Sequence, residues 1–350
     1  MTFDNFPTNT IEFERRFSSE SACWEYLCSM KWPSGFHCPR CSGKYSYFVI
    51  DRGLDECASC GKQTSVTAGT MFHRTRSPLT TWFRVIFEFI SSKNGCSAMH
   101  IMRTVGISFE TAWTWLHKIR DVMTRHGRSP LSGSVEFDEA YIGGPAPGHP
   151  GRSLGRNQFA LAVAAERRGD ASGRARLMPV SDVSGPDLVP KVESSVQQGA
   201  VLITDGFASY QTLGPDFDHR AIVLRDARNA SRFQPRVHRV ISLFKRVLIT
   251  TYQGSVSRKW SALYCEEFVF RYNRRTTAPR TQLFLRVIQQ TVKRAPRIHW
   301  LTWRKRLVHV VPEAGLTPIS PIQILRFQRL RGLRLRDCEP RSAVASYNWN

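Results

Sequence analysis

The chain has 350 residues, 41% hydrophobic and 11% aromatic, which is enough apolar side chain to bury a core and excludes wholesale disorder. Its 50 Lys+Arg against 28 Asp+Glu leave a formal charge of +22, a balance that favours a polyanionic partner, nucleic acid first. The sequence holds no apolar run of roughly 18 residues, and the opening MTFDNFPTNTIEFERRF lacks the basic start and apolar stretch of a signal peptide, so neither membrane insertion nor export is expected and the expected location is cytoplasmic, on the nucleoid.

Taken in order, residues 1 to about 36 read as a helical lead-in, with the helix from Ser18 to Met30. A cysteine-bearing segment rich in Gly, Pro, Ser and Thr runs from Phe36 to about Phe72. Helical spacing of Trp82, Phe83, Ile86, Phe87 and Ile90 opens a helical stretch from Leu79 to about Met123. The pattern then turns to strands: Ser134 to Phe137 running into Asp138, Gln158 to Ala165, and Arg174 to Val180. A helix over Ser184 to Gln197, a short buried strand over Ala200 to Thr204, a fifth strand over Arg220 to Leu224 and a helix from Pro235 to about Thr250 follow. That order predicts a mixed five-stranded sheet flanked by helices, with a loop over Gly143 to Gly155 between its first two strands. The expected organisation is multi-domain: 1–77 as helix and zinc ribbon, 78–130 as a helical DNA-binding segment, 131–285 as an α/β domain, and 286–350 as a basic extension. From Arg271 to Asn350 there are 17 Lys+Arg against 3 Asp+Glu, a net +14.

Cys38-Pro-Arg-Cys41 and Cys57-Ala-Ser-Cys60 form two Cys-x-x-Cys knuckles with fifteen residues between them. Each knuckle turns two thiolates toward one point, and four thiolates complete a tetrahedral zinc shell. All four positions are filled by protein, so the zinc is expected to be structural. A redox pair would need a single knuckle in a βαβ setting.

Ser97 to Ile119 reads as an apolar helix ending at Val105-Gly106, a short turn, Ser108 as N-cap, and a second helix. This fits a helix-turn-helix, and it fits an ordinary packed helix pair as well.

Asp138 ends the first strand of the sheet and Asp205, followed by Gly206, ends the short buried one. His238 and Lys245 stand seven residues apart, about 20° apart around one helix, beside an apolar stripe of Val237, Ile241, Phe244 and Leu248. Two carboxylates with one further ligand can hold a pair of Mg²⁺ or Mn²⁺ ions for in-line phosphoryl transfer. His238 is read either as a neutral ligand or as a general acid or base, and Lys245 as a point charge on a phosphate. Glu136 and Glu139 are read as pointing to the opposite strand face and are left out of the ligand set. Glu267 is the runner-up third carboxylate, with a structural role the stronger reading.

The pieces WPSGFHCPRC (32–41), CASCGKQTSVTAGTMFHRTRSPLTTWF (57–83), SAMHIMRTVGISFETAWTWLHKIR (97–120), VEFDEAYIGG (135–144), LITDGFASY (202–210), VHRVISLFKR (237–246) and EEFVFRYNRR (266–275) occur in that order. Over about Trp24 to Arg275 the chain resembles bacterial insertion-sequence transposases that join an N-terminal zinc ribbon to an ISXO-like DDE domain. The resemblance implies an RNase H-like fold and a catalytic set of Asp138, Asp205, His238 and Lys245, with His standing where the commonest pattern has Glu. It implies Mg²⁺ or Mn²⁺ on Asp138, Asp205 and His238, and zinc on Cys38, Cys41, Cys57 and Cys60. The implied partners are double-stranded DNA, as terminal inverted repeats and target, and further copies of the chain, at least a dimer on DNA. The alternative expectation is a catalytically inactive DNA-binding derivative of such an enzyme. After about Arg280 the resemblance fades, although HWLTWRKRL (299–307) and RFQRLRGLRLRD (326–337) carry the charge of a DNA contact.

Overall fold

The computed structural model describes residues 6–143, 158–222, 233–254 and 256–293. Two helices come first, α1 (Thr10–Arg16) and α2 (Glu20–Lys31). Asn9 and Ser19 cap them by accepting the backbone N–H groups of Glu12 and Ala22, donors that a helix start otherwise leaves without an intrahelical partner. Only α2 is predicted from the sequence. α1 has 7 residues, too few for a legible period, and tertiary packing supports it: the Phe13 ring lies 4.0 Å from Phe87 and 5.3 Å from Phe284.

The cysteine segment folds as a small antiparallel sheet of β1 (Ser46–Val49), β2 (Leu54–Cys57) and β3 (Gln63–Thr64), in that order. The Lys31 ammonium at the end of α2 donates to the carbonyls of Ser65, Val66 and Ala68 and ties the sheet's exit to the helix. The helical stretch is three helices, α3 (Leu79–Ser91), α4 (Ala98–Val105) and α5 (Phe109–Met123). Ser97 and Ser108 cap the last two, and Gly106 ends α4 in the left-handed region at φ 77°, a conformation that glycine adopts without Cβ strain. The predicted pair of helices joined by a short turn is therefore present. Most of α5 is buried, however, with Trp115 stacked on Trp82 at 3.6 Å; its first turn, with Phe109 and Glu110, is exposed.

The larger sheet contains β4 (Ser134–Ile142), β5 (Phe159–Arg168) and β6 (Ala171–Val180), then α6 (Gly185–Ser195), β7 (Val201–Thr204) and β8 (Asp218–Ala221). Three helices follow: α7 (Pro235–Tyr252), α8 (Ser261–Tyr272) and α9 (Gln282–Lys293). The strand order is β6-β5-β4-β7-β8, with β4, β5 and β6 antiparallel and with β7 parallel to both β4 and β8. This is the expected mixed five-stranded sheet, with several boundaries moved: β5 runs three residues past Ala165, and β6 begins three residues before Arg174. β4 runs on through Ile142 because the β5 ladder pairs Val135–Ile142 against Glu166–Phe159. β8 begins at Asp218, two residues before the predicted start, and the end of the predicted strand past Ile222 lies outside the described residues. The predicted loop beyond Gly143 and the basic extension beyond Lys293 also lie outside them.

Side-chain alternation along β5 loads both faces of the sheet. Phe159, Leu161, Val163 and Ala165 pack with Val237, Val240, Ile241 and Phe244 of α7. Ala160, Ala162 and Ala164 pack with Leu188 and Val192 of α6 on the other side. A separate core joins α1–α5 and the ribbon's Met71 and Phe72 to Leu283, Phe284, Val287 and Ile288 of α9. A buried ion cluster links this helical region to α7 and α8. Glu267 accepts from Arg120 (2.8 Å), Arg271 (3.0 Å) and the Tyr252 hydroxyl (2.9 Å), and Arg271 also donates to Phe89, Ile90 and Ser92 carbonyls at the end of α3.

Candidate active site and zinc centre

The structure brings together the four cysteines, and it brings together the two aspartates that the sequence singles out. In the ribbon, Cys38 Sγ lies 3.7 Å from Cys60 Sγ, and Cys41 Sγ lies 3.5 Å from Cys57 Sγ; all four sulfurs are within 4.8 Å of one another. A tetrahedral zinc with Zn–S near 2.3 Å sets its sulfurs roughly 3.8 Å apart, so the cluster fits the ion. The cradle is also kept open at Gly43, where an added Cβ would sit 3.1 Å from Cys57 Sγ and 3.3 Å from Cys41 Sγ. The backbone N–H of Arg40 points at Cys38 Sγ at 3.4 Å, an arrangement that favours the thiolate.

The second cluster forms where β4 and β7 part. Their parallel pairing ends at Glu136–Ile203. The Gln234 side chain, 3% exposed, fills the fork by donating to Phe137 O and Ile203 O, both at 3.1 Å. Just past the fork, carboxylate oxygens of Asp138, Glu139 and Asp205 lie within 4.8 Å of one another. Asp205 is held by accepting the Phe207 N–H at 3.0 Å, in a turn that Gly206 permits at φ 77°. His238, in the first turns of α7, brings Nδ1 to 3.7 Å from Asp138 Oδ2, and its Nε2 is buried with no hydrogen-bond partner among the described residues.

Like-charged carboxylates this close are costly unless a cation or shared protons lie among them. Converging carboxylates offer the hard oxygen donors that suit Mg²⁺ or Mn²⁺, and the His238 ring stands beside Asp138. Burial lowers the His238 pKa from the usual histidine value against the opposing pull of Glu136 and Asp205, which keeps the ring neutral and able to ligate.

The neighbouring glutamates depart from the sequence expectation. Glu136 lies two residues before Asp138 and so shares its face; it is fully buried and accepts the N–H groups of Arg236 (2.7 Å) and Val237 (3.0 Å) at the start of α7. This cap holds the turn that carries His238. Glu139 does leave β4 on the opposite face, yet its carboxylate reaches the cluster at the strand end, where the Tyr210 hydroxyl donates to it. A strand's period of two identifies faces but says nothing about how far a long side chain curls around the end of a sheet. Lys245 is exposed on α7 and, among the described residues, forms no ion pair. Glu267 is 2% exposed inside the arginine cluster, a structural position.

Comparison with known families agrees with this layout. Residues 130–273 match the ISXO2-like transposase domain, and residues 18–63 match the transposase zinc-ribbon domain. The chain is thus similar, over these two stretches, to an ISXO2-like transposase domain and a transposase zinc ribbon. No curated protein matches it. The transposase domain spans β4 to the end of α8, the RNase H-like sheet with its covering helices, and includes Asp138, Asp205, His238 and Lys245. The ribbon match covers α2 and all four cysteines. Among the described residues, no helix is long and apolar enough to cross a membrane.

Proposed function

We propose that this chain is a DNA transposase that binds the terminal inverted repeats of its own element and, with Mg²⁺ or Mn²⁺, cuts at the element's ends and joins the freed 3′-hydroxyls to target DNA. The observation that carries this reading is the convergence of Asp138 and Asp205, 67 positions apart in sequence (205 − 138), just past the point where the parallel pairing of β4 and β7 ends. An inactive DNA-binding derivative has no need of that convergence. Metal ions held there would supply activation of the attacking hydroxyl and stabilisation of the leaving oxygen. Asp138 and Asp205 hold the site from the sheet, and His238 offers a neutral nitrogen from α7. Lys245, about 10 Å further along the same helix, provides a point charge for a DNA phosphate. The excess of +22 supplies the sequence-independent part of DNA binding, which weakens steeply with added salt. Joining two ends to one target implies at least a dimer on DNA.

The test is cleavage and joining of labelled DNA bearing the element's end, with Mg²⁺ or Mn²⁺. Wild type is expected to cut. Asp205→Ala is expected to bind the same DNA but to lose activity by a factor on the order of 10³, and His238→Ala to lose a comparable or smaller share. DNA binding without cleavage by the wild type would leave the inactive derivative as the better reading.

A further inference from the structure

We propose that Glu139 is the third metal-facing carboxylate of this site, supplying the negative charge that is missing where histidine stands in place of glutamate at position 238. The inference rests on the metal-site reading above.

The argument begins with charge. Asp138, Asp205 and a neutral His238 present −2 to a pair of divalent ions, whereas two aspartates and a glutamate present −3. Imidazole is also a softer donor than Mg²⁺ prefers. Glu139 is the carboxylate placed to make up the difference, since one of its oxygens lies within 4.8 Å of ligand oxygens on both aspartates. Its position is built by two elements. The β5 ladder pairs Glu139 with Ala162 and keeps β4 extended through the acidic pair. The turn leaving β7 then presents two groups within six residues: Asp205 itself, and Tyr210, whose hydroxyl donates to Glu139 Oε1.

Tyr210 is 1% exposed and is wedged edge-on against Phe137 at 5.9 Å, so its hydroxyl has little freedom. It acts as a positioning residue, engaging one Glu139 oxygen while the carboxylate faces the cluster. The His238 ring stands beside the same carboxylates, with Nδ1 3.7 Å from Asp138 Oδ2.

The experiment is a Mn²⁺ titration of the full-length, zinc-loaded protein, with free Mn²⁺ followed by electron paramagnetic resonance and folding checked by circular dichroism. Glu139→Gln keeps the shape and the acceptor for Tyr210 and is expected to weaken Mn²⁺ binding by about tenfold or more. Tyr210→Phe is expected to weaken it less. The discriminating variant is the double substitution Glu139→Gln with His238→Glu, which restores −3 and is expected to recover affinity. A residue that merely supports the fold would give no such rescue. Mn²⁺ affinity unchanged in Glu139→Gln but lost in Asp205→Asn overturns the role of Glu139 alone. Affinity unchanged in both variants overturns the metal-site reading with it.

Discussion

The ribbon and the carboxylate cluster each gather ligand-type atoms at one point, and they are built in opposite ways. The four cysteines lie within one stretch of 23 residues (38 to 60), and two tight knuckles bring their sulfurs together with little help from the rest of the chain. The carboxylate site draws on Asp138, Asp205 and His238, spread over 101 positions (138 to 238), and needs a parallel strand pair, a filled fork and a capped helix before its atoms meet. A local site depends on its metal, whereas a dispersed one depends on its scaffold.

Metal removal gives the largest expected effect. Stripping zinc with a chelator, or Cys57→Ser, forfeits binding worth on the order of 10 kcal/mol in such sites. Hydrogen exchange is expected to show β1–β3 opening while β4–β8 stay protected, because the two cores flanking the large sheet contain no ribbon residue. Equal loss of protection in both sheets would show that the two regions fold as one.

Arg120→Met tests the scaffold far from the carboxylates. It removes one partner of a buried ion cluster in which Arg120 is 1% and Glu267 2% exposed, with an expected cost of about 3 kcal/mol. Chemical denaturation measures that cost, and zinc content is expected to stay unchanged. Glu136→Ala acts on the start of α7. Losing the acceptor for two buried N–H groups is expected to cost about 1–3 kcal/mol and to depress cleavage through a displaced His238, whereas Glu136→Gln, which keeps an acceptor, recovers most of both. Equal activity in Glu136→Ala and wild type would show that α7 holds its place without the cap.

The smallest effect is a pH dependence. His117 on α5 is buried among Trp113, Trp260 and Tyr264. Burial, aided by Arg120, pushes its pKa down from 6.5 to about 3. The folded value is below the unfolded one, so the stability from neutral His117 is fully present above 6.5 and is lost as pH falls from there toward about 3. The melting temperature of wild type is expected to drop through that window more steeply than that of His117→Leu; parallel curves would remove His117 from the account.

Much of the molecule is legible in the chain itself, and the reason differs by region. The knuckles, the serine cap at Ser108, and the strand-helix order of the large sheet are local patterns, set by spacings shorter than a turn or a strand. The helix α1 is not legible, because 7 residues cannot display a period and its Phe13 waits for Phe284 from the far end of the chain. The helix-turn-helix spacing is legible, but its burial is not: α5 carries Arg120 into a buried cluster with α8, a partner 147 positions away.

The sequence by itself determined the zinc ligands, the class of the sheet and the identity of Asp138, Asp205 and His238 as candidates, because residue type and short spacing carry that information. Only the tertiary structure decided the roles of the two glutamates beside Asp138. Glu136 became a buried cap for α7 and Glu139 joined the carboxylates, and both outcomes follow from contacts with residues 71 to 101 positions away. Strand alternation assigns a side chain to a face, but which long-range partner waits on that face is settled only when the chain has closed on itself.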